Sequence, residues 1–220
     1  MKIREIAETK RKAKEWFASY TADYDMEDPK IALKAVHTYH VAELCQTIAE
    51  SLALNEVECM AAWLSGLLHD VGRFEQIRRF NTFSDADSID HALLSTEILF
   101  GTKEDASCGR IRQVILDPSW DIYLYKAIKY HSAYRLPPDL SEMEKTYCQI
   151  LRDADKIDIF RVNLETPMED IYNTTTETLK QAEVTSEVLQ AFKERHAVLR
   201  ALKKTPVDNV VGHISLYYEL

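Results

Sequence analysis

The segment Trp63-Leu64-Ser65-Gly66-Leu67-Leu68-His69-Asp70-Val71-Gly72 decides how this chain is read. It is an apolar run at helical spacing that ends in an imidazole and a carboxylate side by side. An imidazole and a carboxylate at the end of a buried helix are costly unless each is hydrogen-bonded, ion-paired or bound to a metal. Working outward, four more residues of ligand type stand in apolar or helical settings: His37, His91, His131 and Asp155. Together they point to a metal site assembled from several helices.

The order His37, His69-Asp70, Asp155 resembles the H…HD…D signature of the HD-domain metal-dependent phosphohydrolase superfamily. The flanking residues agree: His37-Thr38 leads into Val41-Ala42, the doublet precedes Val71-Gly72-Arg73-Phe74, and Asp155 lies in Asp153-Ala154-Asp155-Lys156-Ile157-Asp158. The likeness spans roughly residues 30 to 165. His91 and His131 fall where members with paired metals carry two extra histidines, so the chain is similar to the dinuclear branch. The resemblance implies one metal held by His37, His69, Asp70 and Asp155 and a second by His91 and His131, with Asp70 bridging. It further implies hydrolysis of a phosphomonoester or phosphodiester, a nucleotide included, by a metal-activated hydroxide. Two other activities fit the same ligands: an HD-type di-iron oxygenase, and a nucleotide-binding regulatory domain without turnover.

Elementary coordination chemistry agrees with this set. Imidazole with carboxylate suits first-row divalent metals, whereas all-oxygen sets favour magnesium or calcium and thiolate sets favour structural zinc. The expected cofactor is a divalent transition metal, two per chain, drawn from Mn, Fe, Co, Ni and Zn. Two such ions can activate one water and stabilise both the entering and the leaving oxygen of an in-line displacement.

Around the doublet, Asp70, Arg73, Glu75 and Lys156 are the candidate catalytic residues. Arg73 and Lys156 adjoin the ligand blocks and either contact a substrate phosphate or form salt bridges with carboxylates such as Glu75 and Asp158. Glu75, about a helical turn past the doublet, either orients a liganding histidine or carries a proton, or else pairs with Arg78 or Arg79. His40, one turn from His37, lies outside the resembling pattern and reads as surface or an outer contact. His196 and His213 read as solvated.

At 220 residues, 46% hydrophobic and 29% charged, the chain has the composition of one globular domain, with an HD core over about 30–165 and a helical extension over about 166–220. A net charge of −9 argues against broad nucleic-acid binding, which needs a basic surface, but admits a small anionic phosphate ester. The charged start Met1-Lys2-Ile3-Arg4-Glu5 and the lack of a membrane-length apolar run make the cytoplasm the expected compartment, with no membrane partner. Cys45, Cys59, Cys108 and Cys148 are widely spaced, as reduced thiols are.

Apolar spacing is helical throughout, so the predicted fold is an all-α bundle with added N- and C-terminal helices. Helices are expected over 3–20, from Asp28-Pro29 to about Leu52, and from Asn55 to the doublet with Gly72 as terminator. Residues 80–87 should form a loop leading to the His91 helix. Further helices are expected around 107–116, 120–131 and 142–156, with one or two over 165–203. The tail 207–220 is short and apolar and carries no assigned chemistry.

Overall fold

The computed structural model describes residues 3–102 and 104–220, and among these the protein is all-α, with no strand. It divides into two compact units, one ending at Asp155 and one covering Lys156–Leu220.

The first unit is built around helix α3 (Glu56–Leu68), in which every residue from Cys59 to Leu68 is buried. A helix that is apolar on all sides can only be a central one. Its start is fixed by Asn55, whose side chain accepts from the Val57 and Glu58 amides while Glu58 reaches back to the Asn55 amide. Helix α1 (Ile3–Thr21) and helix α2 (Pro29–Ser51) precede it, the latter capped by Asp28 with Pro29 in its first turn. One core cluster joins Phe17, Trp63, Leu67, Phe74 and Leu124; another joins Val41, Cys45, Ala61, Ala127, Tyr147 and Leu151. Each large apolar side chain so buried contributes about 1.5–3 kcal/mol.

Close approach of α2 to α3 depends on Gly66, where a Cβ would stand 2.7 Å from Ala42 Cα and 2.9 Å from Val41 O. That crossing brings His37, on α2, beside the C-terminus of α3, where His69 is the capping residue.

Gly72 does not terminate this helix. A new helix, α4 (Val71–Phe80), starts directly after Asp70 and carries Gly72 in its first turn. There a Cβ would meet the His91 carbonyl oxygen at 2.6 Å and the Ser95 amide at 2.7 Å, and the Gly72 amide donates to Ser95 Oγ. The glycine is therefore needed for helix contact rather than for a left-handed stop. Asn81 supplies that stop, at φ 51°.

The expected loop follows, over 81–90, and leads to α5 (His91–Phe100), with Asp90 capping its first amides. Helix α6 (Asp121–Tyr130) ends at His131, and α7 (Glu142–Glu165) carries Asp155. The helix expected around 107–116 is instead two short 3-10 turns, Ala106–Cys108 and Ile111–Gln113. Gly109 between them lies against Phe100 and Gly101, where a Cβ would come within 2.5 Å of backbone, so the chain folds back on the end of α5.

In the second unit, residues 165–203 form three short α-helices and a 3-10 turn (Arg200–Leu202) rather than one or two helices: α8 (Met168–Tyr172), α9 (Thr176–Gln181) and α10 (Ser186–Lys193). Asn173 and Arg195, both at positive φ, interrupt what composition alone reads as continuous. The tail forms α11 (Pro206–Ser215), with Pro206 at its start and Asp208 buried near it. No described helix is long and apolar enough to cross a membrane.

Candidate metal centre

Five loci converge at the buried end of α3: His37 from α2, His69-Asp70 from the α3–α4 junction, His91 at the start of α5, His131 at the end of α6, and Asp155 from α7. Asp70 is central. Its Oδ2 lies 3.2 Å from His69 Nε2 and 3.7 Å from His37 Nε2, while its Oδ1 lies 3.6 Å from His91 Nε2 and 3.8 Å from His131 Nε2. Two ligand triads, His37/His69/Asp70 and Asp70/His91/His131, thus share one carboxylate. Asp155 Oδ1 closes the first group, 3.1 Å from His37 Nε2 and 3.9 Å from His69 Nε2. All six sequence-predicted ligands are brought together.

The histidine tautomers are set by the outward nitrogens. His69 Nδ1 donates to the Gly66 carbonyl and His131 Nδ1 to the Ile128 carbonyl, each at 2.7 Å and each three residues back along its own helix. His91 Nδ1 donates to the Asp85 carboxylate at 2.9 Å. In the neutral His91 and His131 rings the inward Nε2 atoms then carry lone pairs. His91 Nε2 and His131 Nε2 face one another at 3.0 Å, and His69 Nε2 and Asp70 Oδ1 are buried without a hydrogen-bond partner. The lone pairs of His91 and His131 converge on the buried Asp70 Oδ1 with no hydrogen between them, an arrangement that a bound cation relieves. The donor set therefore fits divalent metal, and the outer contacts of the three rings are those that orient imidazole ligands.

Electrostatics agree with that fit. Burial pushes His91 down to about 3, with the Arg73 charge adding to it, and burial with the neighbouring His69 charge pushes His131 down to about 4. Both rings are neutral near pH 7, as ligation requires. Burial works to raise both aspartates, yet the neighbouring groups win: the charges of His69 and Lys34 hold Asp70 well below the usual carboxylate range, and the contact with His37 does the same for Asp155. Burial opposes the charge of His69 too, but the adjacent Asp70 raises it.

The remaining predicted site residues are placed differently. Arg73 is buried and uses Nη1 to bind the Phe83 carbonyl and Asp85 Oδ1, each at 2.8 Å, with Nε 3.8 Å from Asp70 Oδ1. Its carboxylate partner is thus Asp85, not Glu75. Glu75 is not brought to the centre; Arg78, Arg79 and the Tyr24 hydroxyl hold its carboxylate, and it lines a separate cleft of about 410 Å³ with Tyr20 and Arg110. Lys156 opens the second unit, where its Nζ donates to the Glu219 carbonyl at 2.7 Å. His40 is exposed. His196 pairs with Glu194, while His213 is not simply solvated, since its Nδ1 lies 2.9 Å from the Tyr172 hydroxyl.

Two functional contacts escaped sequence reading. Lys34 Nζ lies 2.6 Å from Asp70 Oδ2. Its position three residues before His37, on the same face of α2, was the available signal. Asp85 ties Arg73, Gln76 and His91 together, but its register depends on the path of the 81–90 loop and left no periodic trace.

The family model described as HD domain matches residues 35–160, more than half of the chain and a span that holds all six ligand-type residues. No curated protein and no solved structure shows significant similarity to it.

Proposed function

The chain belongs to the HD domain family, and from that premise we propose that it is a metal-dependent phosphohydrolase cleaving a phosphomonoester or phosphodiester, with a nucleotide among its candidate substrates. The observation that most supports this reading is the sharing of Asp70 between two histidine pairs, one at each carboxylate oxygen. His37, His69, Asp70 and Asp155 would hold one ion, and His91 and His131 a second, with Asp70 common to both. Divalent ions at such a site lower the pKa of water and offset charge on both oxygens of an in-line displacement.

The protein's own groups do the rest. The Gly66 and Ile128 carbonyls and Asp85 keep three rings in one tautomer and one orientation, so that no reorganisation is needed during reaction. Arg73 anchors the 81–90 loop over the centre through Phe83 and Asp85. The apolar wall of α3 excludes bulk water and strengthens each of these interactions. Glu75, held by two arginines on a different face of α4, is assigned no proton transfer.

The test is metal content of protein purified without chelator, combined with hydrolysis of p-nitrophenyl phosphate and its bis ester under nitrogen with manganese or zinc. About two ions per chain and turnover that persists without oxygen are expected. Iron with oxygen consumption would favour the di-iron oxygenase instead. Bound ions with no turnover, and a nucleotide that raises the melting temperature without being consumed, would favour a binding domain.

A further inference from the structure

Three cations, Arg73, Lys156 and Lys34, stand near the ligand blocks in the sequence, and the first two are engaged elsewhere. Arg73 is tied through Nη1 to the loop backbone at Phe83 and to Asp85. Lys156 is tied to the Glu219 carbonyl within the second unit. Lys34 is different. Its ammonium makes an ion pair with Asp70 Oδ2 at 2.6 Å, and Asp70 is the residue that both ligand triads require. A divalent ion on that oxygen competes with the ammonium for its charge and lone pairs, so ion binding weakens the hold on Lys34 and favours its release.

Where the displaced ammonium goes is constrained. Lys34 lies three residues before His37 on α2 and rests over the Phe83 ring, with Nζ 5.6 Å from the centroid. Its side chain is 17% exposed and that of Asp155 is 17% exposed, whereas Asp70 is only 2% exposed, so the centre reaches solvent at Lys34 as well as at Asp155. A flexible four-carbon stem at that opening keeps a positive charge beside the ligand cluster after Asp70 is lost to it. We propose that Lys34 is the cation that receives a phosphoryl oxygen of the substrate, passing from Asp70 to the substrate once divalent ions occupy the site. This rests on the phosphohydrolase reading and adds to it the residue that recognises the anion.

The experiment uses Lys34→Met and Lys34→Arg in the full chain, with two binding readouts independent of turnover. The first is manganese titration of the chelator-stripped protein. The second is inorganic phosphate titration of the manganese-loaded protein by calorimetry. Lys34→Met should bind manganese at least as tightly as the wild type, since a competing cation is gone, and phosphate about tenfold more weakly. Lys34→Arg should recover most of the phosphate affinity. Unchanged phosphate affinity in a manganese-loaded Lys34→Met protein would overturn the assignment. So would loss of manganese from that variant, which would make Lys34 a support for Asp70 instead. A wild-type protein that takes up manganese but not phosphate would overturn the phosphohydrolase reading itself, and is distinguished by appearing before any substitution.

Discussion

His91 and His131 bring their Nε2 atoms to 3.0 Å while the Nδ1 hydrogen of each is committed elsewhere, to Asp85 and to the Ile128 carbonyl. Neither ring at neutral pH has a proton to offer the other, so the pair is held together as a ligand pair. His91→Ala removes half of it and leaves the His37/His69/Asp155 side intact. Elemental analysis should find about one ion per chain in this variant, with much reduced hydrolysis. Two ions would refute the pairing of His91 with His131.

Asp70→Asn tests the shared carboxylate with little change of shape. Each triad loses its anion, and both ions should be lost together with activity. The near-isosteric amide leaves packing around it in place, so the fold should survive, as circular dichroism can show. Normal metal content in a folded Asp70→Asn protein would mean that the centre is organised around another residue.

The metal-free protein should be sensitive to acid from pH 6.5 downward. His91 and His131 have folded pKa values pushed down to about 3 and about 4, against 6.5 when unfolded. Between those limits the unfolded chain binds protons that the folded chain refuses, so stability falls as pH falls, by about 1.4 kcal/mol per pH unit for each ring. Asp70 and Asp155, both lowered, add to the loss only below about pH 4. His69 is raised instead, so its contribution is complete below pH 6.5 and is lost as pH rises. The melting temperature of chelated protein should therefore drop steeply between pH 6.5 and 5. A flat profile over that interval would show that the two rings are protonated in the fold.

In the second unit, the buried Asp208 accepts from the Thr185 amide and hydroxyl and from the Lys204 and Thr205 amides, at 2.6–2.9 Å. Burial opposes its charge, but these donors bring its pKa down to about 2. Its contribution is present above pH 3.8 and disappears as pH falls toward 2. Asp208→Ala strands these donors and should cost about 2–4 kcal/mol. Hydrogen exchange should accelerate first at Thr185, Lys204 and Thr205. Unchanged protection of those amides would show that the carboxylate does not hold this corner together.

Much of this architecture was legible in the sequence because it is written in local chemistry. Asp28-Pro29 and Asn55 start helices by capping, the apolar length of α3 marks a central helix, and the six ligand types stand at helix faces or ends that periodicity can find. What was not legible depends on where separate segments meet. Gly72 looked like a helix stop because glycine ends helices, but its role comes from α5 pressing on it, which nothing local encodes. Lys34 and Asp85 act through contacts 36 and 6 residues away, to Asp70 and His91, across a turn and an irregular loop. Glu75 shows the converse: correct helical spacing from the doublet, but on the face of α4 that turns to Arg78, Arg79 and Tyr24.

Gly72→Ala offers the most direct test of how the fold sets the centre. The added Cβ would stand 2.6 Å from the His91 carbonyl and 2.7 Å from the Ser95 amide, both backbone atoms of α5 that cannot yield by a rotamer change. Helices α4 and α5 must separate, and overpacking of this kind costs about 1–3 kcal/mol. The Gly72 amide would also lose the good geometry of its bond to Ser95 Oγ. Because Asp70 directly precedes α4 and His91 opens α5, their separation falls on the Asp70/His91/His131 triad and spares His37, His69 and Asp155. A lowered melting temperature should therefore come with selective weakening of one of two manganese-binding steps in a titration. Equal weakening of both steps, or of neither, would mean that the spacing of α4 and α5 does not control the second ion.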